Sequence, residues 1–287
     1  MSKIEVNGMT LAYVEKGQGA PVVFIHGSAS DYRIWENVQT QLAGQFRTIA
    51  YSRRFHWPNQ PITEGLDYAM TDHVADLQAL LVKLNAHPVH LVGHSYGALM
   101  ALDLAAKNPQ YIQSLILAEP PAINLYVSNS NAPSPAELLR LLLRKPRTGW
   151  AVLKLGATGL GPAANAAKKG DMQEAMRLFG TAALGKETFK RMSAARKQQV
   201  LVNLTKAEFL GSGFSKLEAK DVRNIQIPTL LLAGQKSPQV FHHLADRLAD
   251  LLPRVERTEI AHASHIVQED NPEQFTTALI AFLRKHM

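Results

Sequence analysis

The sequence predicts an α/β fold in which helices cover both faces of a parallel sheet. Short apolar runs such as Val22–Ile25 alternate with amphipathic segments such as Thr71–Asn85, and this alternation is typical of strand–helix–strand units. The apolar runs show no polar alternation, which indicates strands buried on both faces. Ligands of such sheets bind outside the carboxyl ends of the strands, so the residues that follow each strand are candidates for function.

The first part of the chain follows this pattern element by element. Residues 3–16 predict two short strands that meet at Asn7-Gly8, a pair typical of hairpins. Apolar residues at helical spacing predict an amphipathic helix over Thr71–Asn85. Further strands are predicted at Val22–Ile25, Phe46–Tyr51, Val89–Val92 and Ile112–Ala118, and further helices over residues 32–43 and Ala98–Ala106.

The segment from residue 123 to residue 220 has a different character, because no convincing strand occurs in it. Capping signals such as Ser134-Pro135-Ala136-Glu137 predict helices there. The strand–helix pattern then resumes, with strands at Ile227–Ala233 and Arg254–Ile260 and helices capped by Ser237 and Asn271. We therefore predict a core formed by residues 1–122 and 221–287 and a helical cap formed by residues 123–220, with a separate helical domain as the alternative.

Composition excludes several kinds of site. The chain has 287 residues, of which 46% are apolar and 19% charged, which suits one large α/β unit with a substantial core. It contains no cysteine. Disulfides, cysteine metal ligands and catalysis by a thiol are therefore excluded.

The charge and the N-terminus give expectations about partners and location. The net charge is +7, with much of the excess between Arg140 and Arg196, and we interpret it as a solvated basic face because no nucleic-acid motif accompanies it. Residues Met1–Thr10 lack the features of a signal peptide, and no apolar run reaches the length of a membrane span. We expect a cytoplasmic monomer or homodimer that acts on a small molecule, without nucleic-acid or membrane partners.

The stretch Gly93-His94-Ser95-Tyr96-Gly97 is the most informative motif of the chain. It lies between a predicted strand and a predicted helix, which is the context of a nucleophile elbow. Glycines at both ends relieve the collisions of a tight turn and expose the serine hydroxyl beyond the strand. An ordinary Gly/Ser turn is the alternative interpretation, and the strand–turn–helix context favours the elbow.

The chain resembles the α/β-hydrolase fold superfamily from end to end. The resemblance is carried by His26-Gly27 after one strand, by Gly93–Gly97 after a later one, and by His265 followed by Pro272-Glu273-Gln274-Phe275. That last stretch looks like the start of the superfamily's final helix. The resemblance implies an eight-stranded, mostly parallel sheet, a helical cap between strands six and seven, and a triad in the chain order nucleophile, acid, histidine.

Three departures from the superfamily pattern affect the choice of residues. Many relatives carry the catalytic acid after strand seven, where this chain has Gly234-Gln235-Lys236-Ser237 and no carboxylate. Many carry Asp-x-Arg-Gly after strand four, where this chain has Tyr51-Ser52-Arg53-Arg54. The residue before the catalytic histidine is often glycine, and here it is Ser264.

The triad predicted from these patterns is Ser95, Glu119 and His265. Ser95 needs a base, and the spacing to Pro272 favours His265 over His262. The base needs a carboxylate to hold its tautomer, and Glu119 follows strand six, a position that certain haloalkane dehalogenases use. Glu269 and Asp270 are alternatives that their position at a helix start disfavours.

The oxyanion hole is predicted to consist of the backbone N–H groups of Ser28 and Tyr96. His26 is expected to be structural. The roles of Arg53 and Arg54 are open, because each could bind a substrate carboxylate or pair with an acidic side chain.

These residues predict a serine hydrolase that cleaves a small to medium carboxylic ester through an acyl-enzyme, without a metal or cofactor. A C–C bond hydrolase, a lactonase or an acyltransferase on the same fold is the alternative within enzymes. A ligand receptor that turns over slowly is the alternative outside enzymes.

Overall fold

One eight-stranded sheet forms the centre of the computed structural model, which describes residues 1–129 and 133–287. Its strands are β1 (Ser2–Val6), β2 (Met9–Lys16), β3 (Pro21–Ile25), β4 (Arg47–Tyr51), β5 (Val89–His94), β6 (Ile112–Ala118), β7 (Thr229–Gly234) and β8 (Val255–Ile260). They are arranged in the order β1-β2-β4-β3-β5-β6-β7-β8. The pairs β1–β2 and β2–β4 are antiparallel and every other pair is parallel. The expected eight-stranded, mostly parallel sheet is therefore confirmed.

The helices lie in three groups along the chain. The first group precedes β6 and the last follows β7, whereas the middle group lies between these strands. The helices are α1 (Glu36–Leu42), α2 (Met70–Lys83), α3 (Tyr96–Lys107), α4 (Pro135–Arg144), α5 (Pro146–Leu155), α6 (Gly161–Lys168), α7 (Met172–Leu184), α8 (Lys186–Arg191), α9 (Ala194–Asn203), α10 (Lys206–Leu210), α11 (Ala219–Arg223), α12 (Gln239–Ala249), α13 (Val267–Asp270) and α14 (Pro272–Lys285).

Apolar side chains fill both faces of the sheet. On one face, α2 and α3 pack against alternate strand residues such as Val23 and Leu91. On the other face, α1 and α14 pack against the intervening residues, such as Phe24 and Val92. Successive residues of a strand point to opposite faces, so the continuous apolar runs supply both cores. This layering brings the carboxyl ends of β3, β5, β6 and β7 to one edge.

Two of the predicted helix caps are present, and a third is not. Ser134 accepts a hydrogen bond from the Glu137 N–H at 3.2 Å and completes the expected capping box, and Asn271 accepts one from Gln274 N–H at the start of α14. The prediction that Ser237 caps a helix is wrong. Helix α12 begins at Gln239, and the Ser237 hydroxyl instead donates to Glu119, because the preceding turn directs it toward the end of β6.

The described residues between β6 and β7 form helices and contain no strand. Helix α5 packs against α12 through Val152, Phe241 and Leu244, which share one apolar cluster. Ala29, which follows β3, belongs to a second cluster with residues of α6 and α7. The division into a core and a cap at residues 122 and 221 stays a prediction. Within the two described ranges, no helix has both the length and the apolar character needed to cross a membrane.

Candidate active site

Ser95 lies in a strained turn between β5 and α3. Its backbone has a φ of 51° and a ψ of −119°, a left-handed conformation that costs energy for a residue with a side chain. A Cβ atom on Gly93 would lie 2.5 Å from the carbonyl oxygen of Gly97, and one on Gly97 would lie 2.3 Å from that of Ile25. Both glycines are therefore required by close backbone approach, as the motif predicts.

His265 follows β8 and reaches Ser95 directly. Its Nε2 lies 2.9 Å from Ser95 Oγ. The ring is held between neighbours: the centroid of the Phe241 ring is 4.0 Å away, and the His265 carbonyl accepts a 2.7 Å hydrogen bond from His94 Nε2. His262, the rival histidine, is exposed. The structure thus brings His265 to the serine and leaves His262 outside.

Glu119 follows β6 and completes the chain of contacts. Its Oε2 lies 3.0 Å from His265 Nδ1. Its Oε1 accepts hydrogen bonds from the Gly234 N–H at 2.6 Å and from the Ser237 hydroxyl at 2.9 Å. The residue is 2% exposed, and its φ of 55° turns the backbone sharply after the strand. The carboxylate is therefore fixed by donors on one oxygen and faces the histidine with the other.

The other two carboxylates near His265 have different partners. Glu269 forms a bidentate ion pair with Arg196 at 2.8 and 2.9 Å. Asp270 accepts hydrogen bonds from the N–H and hydroxyl of Ser264 at 2.7 and 2.6 Å. The structure therefore places neither acid where Glu119 is found.

The loop after β3 lies against the serine. A Cβ atom on Gly27 would be 2.9 Å from Ser95 Cβ, so only glycine allows this approach. The next residue, Ser28, lines the same cavities as Ser95 and His265. Tyr96 is the first residue of α3, where backbone N–H groups have no partner within the helix. Both residues expected to form an oxyanion hole are thus adjacent to the serine.

Arg53 holds the peptide group that precedes Ser28. Its Nη2 donates to the Gly27 carbonyl at 3.0 Å, and its backbone N–H donates to His26 Nε2 at 2.9 Å. A trans peptide is planar, with its C=O and N–H on opposite sides. A cation bound at the Gly27 oxygen therefore fixes the orientation of the Ser28 N–H and polarises it. His26 is buried and serves this loop, in agreement with its expected structural role.

Glu208, from α10, balances the buried charge of Arg53. The two side chains lie 3.7 Å apart, and Glu208 Oε2 accepts a 3.3 Å hydrogen bond from the Ala29 N–H. Burial raises the pKa of the Glu208 carboxyl. The sequence pattern does not reveal Glu208, because a lone glutamate on a short amphipathic helix has the same pattern as a surface residue. The structure shows that it joins α10 to the loop beside Ser95.

The two arginines of the loop after β4 have separate partners. Arg53 is 1% exposed and also donates to the Tyr68 hydroxyl at 2.6 Å. Arg54 forms a bidentate ion pair with Asp76 at 2.6 and 2.7 Å. Both guanidinium groups are therefore engaged within the protein, which favours pairing with protein groups over binding of a substrate carboxylate.

Apolar cavities extend from Ser95 in two directions. A small one of about 60 Å³ lies on the side of α7 and α8. Another of about 60 Å³ lies on the side of α5 and shares Leu160, Phe179 and Phe214 with a larger cavity of about 310 Å³. Glu208 is the charged residue among those that line the larger one. Apolar side chains therefore line the cavities on both sides of Ser95.

Groups of three or more histidine and acidic side chains arranged to hold a metal ion do not occur in residues 1–129 and 133–287. The site instead consists of a serine, a histidine and a carboxylate in hydrogen-bond contact.

Comparison with known proteins finds sequences and a fold similar to those of this chain. The chain is 28% identical to the uncharacterized hydrolase YraK of Bacillus subtilis over 126 residues, which is 44% of this chain and 46% of that protein. It is 25% identical to the cis-3-alkyl-4-alkyloxetan-2-one decarboxylase of Shewanella oneidensis over 281 residues, which is 96% of this chain and 86% of that one. A thermophilic esterase from Thermogutta terrifontis, solved with bound malate, has the same fold with a TM-score of 0.72 at 21% identity and full coverage of both chains.

The family itself is shown by a match to the model for the α/β-hydrolase fold, which extends over residues 20–272. The expectation drawn from the elbow and from the final helix is confirmed at this level. This chain belongs to the α/β-hydrolase fold family.

Proposed function

We propose that the protein is a serine hydrolase that cleaves carboxylic esters through an acyl-enzyme on Ser95. The observation that carries the proposal is the continuous set of contacts from Ser95 Oγ to His265 Nε2, at 2.9 Å, and from His265 Nδ1 to Glu119 Oε2, at 3.0 Å. A base within hydrogen-bond reach of a hydroxyl, itself oriented by a carboxylate, is the arrangement that activates a serine nucleophile.

In the proposed mechanism each residue of these contacts has one role. Ser95 Oγ attacks the ester carbonyl carbon while His265 Nε2 accepts the hydroxyl proton. Glu119 holds the proton on Nδ1 and stabilises the imidazolium that forms. The N–H groups of Ser28 and Tyr96 hold the negative oxygen of the tetrahedral intermediate. His265 then returns the proton to the leaving alcohol, and a water molecule hydrolyses the acyl-enzyme by the same steps.

The cavities support an apolar ester as the substrate class. The small cavity is lined by side chains such as Leu184 and Phe189, and the large one by Leu155 and Phe209. Pockets with this lining recognise substrate mainly by apolar burial. A short group on one side of the ester and a longer apolar group on the other fit the two volumes.

Hydrolysis of p-nitrophenyl acetate, butyrate and octanoate by the wild type and by Ser95→Ala tests the proposal. We expect cleavage by the wild type and its loss in the variant, with an unchanged circular dichroism spectrum. A fluorophosphonate should label the wild type on Ser95, as shown by peptide mass spectrometry. Wild-type activity in Ser95→Ala, or a wild type that neither cleaves these esters nor reacts with the probe, would refute the proposal.

A further inference from the structure

We propose that the outer face of α4 and α5 binds the surface of an anionic phospholipid membrane. This face, called here the α4–α5 outer face, consists of three apolar residues and four basic ones. They are Leu139, Leu143, Trp150, Arg140, Arg144, Lys145 and Arg147. The proposal concerns binding at the surface of a membrane and differs from the expectation that no membrane takes part.

Helix α4 has both buried and exposed leucines. Leu141 is 7% exposed and belongs to the apolar cluster that joins this region to α12. Leu139 and Leu143 are 58% and 77% exposed. They are four residues apart and so share one side of the helix. A helix on a globular surface needs one apolar stripe, and α4 therefore presents a second stripe to the outside.

Trp150 lies on the same side of the helix pair. A Cβ atom on Gly149 would be 2.9 Å from Leu142 Cα, whereas residues seven apart in one continuous helix are about 10 Å apart. The chain therefore folds back at Lys145. In two helices that run in opposite directions, the residues that follow the two contacting residues lie on the same side of the pair. Here they are Leu143, which follows Leu142, and Trp150, which follows Gly149. Trp150 is 68% exposed, which adds a large aromatic side chain to the leucine stripe.

The charges around these apolar residues are almost all positive. Residues 133–170 contain one acidic residue, Glu137, and seven basic ones: Arg140, Arg144, Lys145, Arg147, Lys154, Lys168 and Lys169. The Glu137 carboxylate is engaged, since it accepts hydrogen bonds from Ser128 N–H at 2.7 Å and Ser134 N–H at 3.1 Å. In the described part of the chain, the four basic residues of the α4–α5 outer face form no ion pair within 4.0 Å.

Three of the four basic residues line one cavity together with a fourth cationic side chain, Arg247 of α12. This cavity has a volume of about 270 Å³ and is lined by Arg140, Arg144, Lys145 and Arg247, together with Glu137. The Nε atom of Arg247 is buried without a hydrogen-bond partner among the described residues. Arginine side chains are frequent binders of phosphate groups in proteins.

The pattern fits a bilayer better than the other possible occupants. An interfacial helix buries leucine and tryptophan at the acyl boundary while arginine and lysine contact anionic headgroups. A second copy of this chain would bring like charges together, which is unfavourable at an interface. A membrane supplies both the apolar layer and the negative charge.

Membrane contact would also place the active site near lipid. Val152 and Leu155 of α5 line the large cavity that leads to Ser95. The docked helix pair would then lie beside the cavity that receives an apolar ester. This last step rests on the proposed esterase function, whereas binding to the membrane does not.

Sedimentation of the intact protein with vesicles tests the proposal. We expect binding to vesicles of mixed phosphatidylcholine and phosphatidylglycerol, little binding to phosphatidylcholine alone, and release at high salt. Loss of one basic residue weakens binding to an anionic surface by about fivefold, so Arg140→Ser/Arg144→Ser should weaken it by roughly 25-fold. Leu139→Ser/Leu143→Ser should also weaken it. Trp150 emission should shift to shorter wavelength on binding, and the shift should be absent in Trp150→Phe.

Matched variants elsewhere on the surface provide the controls. Lys3→Ser/Lys216→Ser removes the same charge from exposed positions, and Leu66→Ser removes a leucine that is 55% exposed. Both should bind vesicles like the wild type to within about twofold. Equal losses in these controls, no preference for anionic vesicles, or a dimer that Leu139→Ser/Leu143→Ser abolishes without any vesicle binding would overturn the proposal. If the protein binds vesicles but cleaves no ester, the membrane proposal is supported and only the proposed hydrolysis is refuted.

Discussion

Glu119→Gln is the substitution that tests the triad most sharply, because the structure dictates how the new amide is oriented. Glu119 Oε1 accepts a 2.6 Å hydrogen bond from the Gly234 N–H, a backbone donor that cannot turn away. The glutamine carbonyl oxygen must therefore take this place, and its NH₂ group must face His265 Nδ1. That NH₂ group can only donate. Nδ1 must then accept, and the imidazole proton moves to Nε2.

This change of tautomer prevents His265 from acting as the base for Ser95. With a proton on Nε2, His265 can no longer accept the proton of Ser95 Oγ, which lies 2.9 Å away. The equivalent aspartate-to-asparagine change in the serine-protease triad lowers kcat by about 10⁴. This corresponds to about 5.5 kcal/mol of transition-state stabilisation. Since glutamine has nearly the shape of glutamate, we expect a similar loss here with a small change in Tm.

The assay is kcat for p-nitrophenyl butyrate, measured beside Glu269→Gln as a control. Glu269 is a nearby carboxylate whose partner is Arg196, so its variant should keep a kcat within about threefold of wild type, as expected for a change outside the reacting groups. A Glu119→Gln enzyme with a kcat within tenfold of wild type would refute the orientation argument and the choice of Glu119. The reverse result, a large loss in Glu269→Gln alone, would place the acid on α13.

Three further predictions concern the base, the loop beneath the oxyanion site and acid stability. His265→Ala should abolish ester cleavage and His262→Ala should not, and the opposite pattern in steady-state assays would exchange their roles. Arg53→Lys cannot donate in the same fork, so kcat should fall by about 10- to 100-fold with KM little changed, and an unchanged kcat would exclude a positioning role. The free energy of unfolding, from urea titrations, should fall as pH decreases below about 6.5, because burial lowers the pKa of several histidines that accept protons only when unfolded. The slope should approach about 1.4 kcal/mol per pH unit for each of these histidines, and a flat profile between pH 7.5 and 5.5 would contradict it. The histidines are His26, His56, His73 and His94.

The sequence predicts the fold because each local signal has a short-range cause. The hairpin at Asn7-Gly8, the apolar strands and the box at Ser134 all depend on neighbours within a few residues. The elbow is predictable for the same reason, since Gly93 and Gly97 are required by contacts inside one turn and with the adjacent strand. Strand ends in a parallel sheet meet at one edge, which is why Glu119 could be proposed from its place after β6.

The roles of Arg53, Arg54 and Glu208 depend on contacts between distant parts of the chain. Arg53 and Arg54 are adjacent and chemically identical, yet one supports the loop beside Ser95 and the other pairs with Asp76. Nothing in their local sequence separates these roles. Glu208 is 155 residues from Arg53 in the chain, and its contact with that arginine at 3.7 Å exists only because α10 packs over the loop. Pairings of this kind are set by tertiary packing and leave no periodic signal.

The proposed place of the acid, at Glu119, agrees with the hydrogen-bond partners of that side chain. In many relatives the turn after strand seven carries the carboxylate, and in this chain the same turn supplies donors instead: the Gly234 N–H and the Ser237 hydroxyl both bind Glu119 Oε1. Because β6 lies between β5 and β7, a carboxylate at the end of β6 is beside that turn and one strand from Ser95. A carboxylate at position 237 would place a second negative charge against Glu119 and raise the pKa of one of the two. The serine at 237 and the glutamate at 119 are therefore compatible as a pair.

Ser237→Asp alone should lower kcat for p-nitrophenyl butyrate. If positions 119 and 237 are alternative positions for one acid, Ser237→Asp combined with Glu119→Ala should have a higher kcat than Glu119→Ala alone. A double variant with a kcat no higher than that of Glu119→Ala would show that this turn cannot hold the acid.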